Sequence, residues 1–183
     1  NAKWIETVTQ DYVDTSPENT LGNEDNDRAF SRPLVGFSNG DDPLYEEFKS
    51  HVGSFSLTPW ELFAISYREF SVKPEELSVI SWILPHTQPT KKENSKEKYY
   101  PSERWARARV FGENFNDRLR KHLVENLSHR GYRAVAPLFT RVRLNSSFLE
   151  TALRGLTTLV KTADGPRKTS SSQTTPSYTE TLF

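Results

Sequence analysis

His86 stands directly behind an apolar run, Val79-Ile80-Ser81-Trp82-Ile83-Leu84-Pro85. Imidazole titrates near neutral pH, so a histidine there could act as a general acid or touch a ligand. The carboxyl end of a central strand is where α/β folds present such groups. A lone histidine is more often structural or solvent-exposed, and that alternative stands beside the functional one. His51, His122 and His129 lack the same positional support. No His-x-x-x-His or Glu-x-x-His pair puts two ligands on one helix face, so a metal site is not expected. The chain has no cysteine, which excludes disulfides, thiolate catalysis, Cys-zinc sites and Cys-ligated iron–sulfur clusters within these residues. It also lacks a Gly-x-Ser-x-Gly elbow, a Walker loop and a dinucleotide-binding glycine turn. Asp41, Asp42, Glu46 and Glu47 form an acidic cluster whose spacing is better explained by a turn and by favourable charge at a helix N-terminus.

Residues 79–85 read as a strand buried on both faces. A second short apolar run, Tyr132-Arg133-Ala134-Val135-Ala136-Pro137, follows one long amphipathic segment. That is the layout of a β-α-β unit, in which two parallel strands need a long crossover. Ser102 can cap the crossover helix, which runs to about His129, with Trp105, Ala108, Phe111, Phe115, Leu119, Leu123 and Leu127 on its apolar stripe. Gly131 is a suitable stop. Arg104, Arg107, Arg109, Arg118, Arg120 and Lys121 decorate this helix among Glu103, Glu113, Asp117 and Glu125. Their alternation points to a solvated surface with local ion pairs rather than an anion site. Residues 87–100 read as a flexible polar surface loop.

Upstream, residues 3–13 carry Trp4, Ile5, Val8 and Tyr12 at helical spacing, and residues 14–33 read as a long irregular connection. Residues 34–37 suit a short extended piece. Residues 44–52 suit a helix ended by Gly53. Thr58-Pro59-Trp60-Glu61 combines a Thr cap, Pro at the first helical position and Glu three residues after the cap. The helix it starts reaches about Phe70 and puts Trp60, Phe63, Ala64, Tyr67 and Phe70 on one face, read as core rather than a cofactor surface. A further helix is expected over 146–160.

At 183 residues the chain suits one domain. With 24 basic and 24 acidic residues it has no net charge, so nonspecific nucleic-acid binding is not expected. No run approaches the ~20 apolar residues of a membrane span, and the first residues lack a secretion-signal pattern. The expected location is the cytoplasm. The chain starts at Asn1 and holds no methionine, which fits a fragment, a processed chain or a sequence that has lost residues. Only 34% of residues are apolar, below the ~45–50% of globular chains, so part of the chain is expected outside the core. The expected fold is α/β or α+β, a small mixed sheet with a β-α-β crossover and helices packed on it. Its organisation is an N-terminal helix and irregular arm over 1–33, a core domain over 34–160 and a disordered Ser/Thr-rich tail over 161–183.

The strand at 79–85, the phrase Arg109-Val110-Phe111-Gly112-Glu113-Asn114-Phe115-Asn116, the long helix and the closing strand resemble the N-terminal region of epoxyqueuosine reductase-like iron–sulfur proteins, relatives of the corrinoid-dependent reductive dehalogenases. Pro33-Leu34-Val35-Gly36-Phe37, Gly40-Asp41-Asp42-Pro43-Leu44 and Leu57-Thr58-Pro59 extend the resemblance over about 14–139. It implies a cobalamin-binding α/β module that, in the family, precedes a ferredoxin-type segment with two cysteine-rich 4Fe-4S motifs. The chain departs from the family in having no cysteine. Ala134-Val135-Ala136-Pro137 stands in place of an Asp-Ser-Ala-Pro-like motif, and Asn114-Phe115-Asn116 in place of an Asp-Tyr-His-like stretch. The resemblance implies a truncated or degenerate N-terminal module of an iron–sulfur oxidoreductase. Its clusters would lie in a missing cysteine-bearing region, and its partner would be an electron-transfer protein or cluster-bearing domain. His86, Arg109, Asn114 and Asn116 are the contacts that position and resemblance imply for a cobalamin-like ligand. A noncatalytic α/β interaction module, and an enzyme using His86 as a general acid, are the alternatives.

Overall fold

The computed structural model describes residues 2–53, 56–136 and 158–162. Its helices are α1 (Ala2–Thr15), α2 (Leu44–Val52), α3 (Pro59–Ser66), α4 (Gln88–Asn94) and α5 (Glu103–His129). Its strands are β1 (Leu34–Asn39), β2 (Leu77–Ile83), β3 (Ala134–Val135) and β4 (Thr158–Thr162). The sheet order is β1-β2-β4-β3. β4 is antiparallel to β2, with Val79 opposite Val160, and antiparallel to β3, with Val135 opposite Val160. β2 and β3 therefore run parallel to each other, as the crossover requires, but β4 lies between them. The mixed α/β architecture is the expected one. The expected helix over 146–160 fails at its end, where residues 158–160 are strand, and its remainder lies outside the described residues. So does the expected tail, apart from the two β4 residues 161 and 162.

The chain forms two compact units, Asn1–Gly36 with Trp82–Leu123 and Phe37–Ser81 with Val124–Phe183. The first 36 residues group with Trp82–Leu123 in the first unit. There α1 buries Ile5, Thr9 and Val13, one turn apart, and half-buries Trp4, Val8 and Tyr12. Thr9 is admitted to the core because its hydroxyl donates to the Ile5 carbonyl at 2.8 Å. After α1 the chain is fixed by Asn19, which is 3% exposed. Its Nδ2 donates to the Val13 and Phe30 carbonyls, both at 3.0 Å, while its Oδ1 accepts from the Phe30 N–H at 2.9 Å. One side chain thereby satisfies three backbone groups that no helix or sheet ladder serves.

α5 starts where expected, with Ser102 Oγ accepting from the Trp105 N–H at 3.3 Å. Ala108, Phe115, Leu119 and Leu123 are buried along it. Arg104, in its first turn, reaches Asp27 at 2.6 Å and Glu93 at 3.1 Å. The segment expected to be a flexible loop contains α4 instead: Thr87 is extended at its cap, and Pro89 falls in the first turn, where a missing N–H costs nothing. Gly131 terminates α5 at φ 80°, a left-handed conformation that glycine adopts without strain.

In the second unit Leu62, Phe63 and Leu77 form a core with Leu57, Tyr67, Val72 and Val135 against it. The capping box at α3 is complete: Thr58 Oγ1 accepts from the Glu61 N–H, and Glu61 Oε2 accepts from the Thr58 N–H at 2.8 Å. α3 ends at Ser66 rather than near Phe70. Leu62 takes the core position expected of Trp60, which is 42% exposed and donates its indole N–H to the Val72 carbonyl. Phe70 leaves the helix face and lies under the Arg133 guanidinium, 3.5 Å from its ring centroid.

Replacing Asn19 by leucine keeps the branched shape and strands both buried backbone groups of Phe30, while the Val13 carbonyl keeps the Arg28 guanidinium as a donor. At about 1–3 kcal/mol for each unsatisfied buried group, partly relieved by relaxation, Asn19→Leu is expected to lower unfolding free energy by about 2–4 kcal/mol. Urea denaturation with an unchanged slope would register it.

Candidate functional site

β2 ends at Ile83, and His86 follows three residues later in an isolated antiparallel bridge to Phe30. Pro85 has no N–H to give, but its carbonyl accepts from the Ser31 N–H at 2.8 Å. This pairing lays the Phe30 ring against the imidazole, centroids 5.6 Å apart. Phe30 is in turn 6.1 Å from Phe115. It closes over Gly112 of α5: a Cβ added there would stand 2.5 Å from the Phe30 ring. The carboxyl end of β2 is thus sealed to α5 by one aromatic side chain and the absence of another side chain opposite it.

The result is a half-buried histidine in a positive field. Burial pushes the His86 pKa down, and the Lys91 and Arg109 charges push it further, while its hydrogen bond to the Ala29 backbone opposes them. At neutral pH the ring is uncharged. Its Nδ1 is buried without a hydrogen-bond partner. A neutral imidazole with an unused ring nitrogen is suited to accept a proton or to donate a lone pair, and poorly suited to act as a general acid. The environment therefore disfavours the general-acid alternative.

Of the other expected contacts, Arg109 shares the electrostatic environment of His86. Its guanidinium lies on the exposed side of α5, 3.6 Å from Glu113 and 6.0 Å from the Trp105 ring centroid. Asn114 is exposed. Asn116 is half-buried, and its Oδ1 accepts from the Trp82 indole N–H at 3.1 Å. The fold brings His86 and Arg109 together, spends Asn116 on positioning Trp82, and leaves Asn114 on the outer surface of the helix. Phe30, Lys91 and Gly112 complete the surroundings of His86. Little in the sequence marks them, since Phe30 lies in a stretch with no sustained period; Gly112, the one glycine inside the α5 pattern, is the signal available.

A separate open cavity of about 340 Å³ is lined by Glu6, Gln10, Arg32, Pro33, Leu34 and Val35. It includes none of the expected contacts. Among the described residues no cluster of three or more His, Asp or Glu side chains could hold a metal ion, and no helix is long and apolar enough to cross a membrane. No protein-family model, curated protein or solved structure matches the chain.

The buried neutral ring makes stability depend on pH. With the folded-state pKa of His86 below the ordinary 6.5, the unfolded chain takes up the proton first as pH falls. His86 therefore contributes fully above about pH 6.5 and loses its contribution as pH drops through the lowered value. Chemical denaturation of the wild type between pH 7.5 and 5 should show a loss of stability that is smaller in His86→Gln.

Proposed function

We propose that the chain is the corrinoid-holding N-terminal module of an epoxyqueuosine reductase-like iron–sulfur oxidoreductase, acting in the cytoplasm. Its 4Fe-4S clusters would be carried by a cysteine-bearing region or an electron-transfer partner outside these residues. The observation that carries this reading is His86: a neutral imidazole with an unpartnered Nδ1, just past the carboxyl end of a strand that leads into a helical crossover. Ligands of α/β folds gather at that end. The sequence phrases that resemble the family frame the same place, since Arg109 and Gly112 both belong to the quoted stretch at 109–116.

Lys91 and Arg109 supply positive charge for anionic substituents of such a group, and His86 would meet it through Nδ1 once a local opening uncovers that buried atom. Bound and reduced, cobalamin supplies a low-potential cobalt centre for reductive chemistry. The chain's own part is to keep the imidazole unprotonated through burial and neighbouring cations, and to hold its plane against Phe30. With no cysteine among its 183 residues, the chain cannot ligate the clusters itself.

A second reading, a noncatalytic α/β interaction module, is favoured by α2. Leu44, Phe48 and Val52 recur one turn apart and are all exposed, and no α2 residue is buried. An amphipathic helix with an uncovered apolar stripe is a docking feature.

Titration of the purified chain with cob(II)alamin and hydroxocobalamin, read by visible and electron paramagnetic resonance spectra, separates the two. The expected outcome is saturable binding with a changed cobalt axial environment, and loss of that spectral change in His86→Ala. A folded chain that binds neither corrinoid, yet self-associates through a contact removed by Phe48→Ser, would replace the first reading with the second.

A further inference from the structure

We infer that the inner edge of Arg120 is a binding site for a small carboxylate ligand. The basic side chains of α5 divide sharply. Arg104, Arg107, Arg109 and Arg118 are paired with Asp27 and Glu93, with Glu103, with Glu113 and with Glu18 at the surface. Arg120 is 3% exposed, and the leucines that precede and follow it on the buried stripe, Leu119 and Leu123, are fully buried. Its Nη1 donates to Asp117 Oδ1 at 2.6 Å, but Nε and Nη2 are buried with no partner at all.

Those two atoms form one edge of the guanidinium, with their N–H bonds parallel and spaced to match two oxygens on one carbon or phosphorus. Leaving both unmade in the interior costs far more than leaving them in water. A ligand bearing two coplanar oxygens satisfies them together. One turn earlier on the same face, Asn116 has its Oδ1 occupied by the Trp82 indole. Its remaining polar group, the amide nitrogen, offers no acceptor to Arg120. Donors without matching acceptors are the pattern of an anion site.

The local charge decides which anion. Arg120 and Arg109 are balanced by Asp117 and Glu113. Asp117 and Glu113 both act on Arg120, opposing the effect of burial on its ionisation. A single added negative charge is tolerated better there than the nearly two of a phosphate monoester. Arg120 follows Arg109 by 11 residues, about 16 Å along the helix, so this site is distinct from the surroundings of His86 and stands whether or not a corrinoid binds. Because Nε and Nη2 are closed to solvent, the ligand reaches them through a local opening of the fold.

The test is a titration of the full chain with sodium benzoate at constant ionic strength, balanced with sodium chloride. It is read from the arginine Nε–H resonances in ¹H–¹⁵N spectra and from the melting temperature. The expected result is one Nε–H signal that shifts saturably downfield with benzoate and is missing in Arg120→Lys, a variant that keeps the charge and loses the fork. The benzoate-dependent rise in melting temperature should need at least tenfold more ligand in Arg120→Lys and stay unchanged in Lys121→Ala. Should Arg120→Lys not fold, saturation of a slowly exchanging Nε–H in the wild type still decides. A signal unmoved by benzoate overturns the site, and a shift with inorganic phosphate but not benzoate overturns the carboxylate assignment.

Discussion

The Asn19 carboxamide is the interaction on which the His86 surroundings depend. It ties the last turn of α1, through the Val13 carbonyl, to both backbone groups of Phe30. Only with the Phe30 backbone fixed can its ring occupy the gap left by Gly112 and sit against the imidazole at an interplanar angle of 29°. The chain between α1 and β1 has few apolar residues with which to anchor itself, so a buried polar staple does what packing would do elsewhere. Such a staple is directional: hydrogen bonds fix orientation as well as position, which a leucine in the same space would not.

That directionality reaches the chemistry of the site. A histidine behind a strand is unremarkable until its surroundings choose its protonation state. Here burial, Lys91 and Arg109 act in the same sense and the Ala29 contact acts against them. The free Nδ1 is the consequence: a ring held on one side by backbone and covered by an aromatic face keeps one nitrogen without a donor. The same arrangement that makes His86 interesting as a ligand-contacting group makes it a poor proton donor near neutrality.

Much of this architecture was legible locally. The Thr58-Pro59-Trp60-Glu61 cap, the Ser102 start and the Gly131 stop all work through contacts within a few residues, and each is found as expected. Whatever depends on distant partners was less visible. Trp60 leaves the core because the Val72 carbonyl is there to receive its indole N–H, a contact 12 residues away. Thr9 enters the core because its hydroxyl is satisfied within α1, an outcome hidden from apolar periodicity. The insertion of β4 between two strands that are parallel partners by sequence layout depends on a segment that follows both. The site was half legible for the same reason: His86 is marked by its place after an apolar run, whereas Phe30 reaches it only through a bridge spanning 56 residues.

The α5 cations show why charge pattern alone could not identify a site. Interleaved Arg and Glu predict local surface ion pairs, and Arg107 and Arg109 conform with Glu103 and Glu113, whereas Arg104 and Arg118 pair with carboxylates outside the helix, Asp27 with Glu93 and Glu18. At the surface such pairs contribute at most about 1 kcal/mol each, since water competes for both partners. Arg120 belongs to the same alternation in sequence but turns inward, where the competition with water is gone and incomplete pairing has a high cost. One carboxylate, Asp117, answers one of its nitrogens. What distinguishes Arg120 from its neighbours is therefore neither its charge nor its spacing but the count of donors left over once burial has removed the solvent that would have satisfied them.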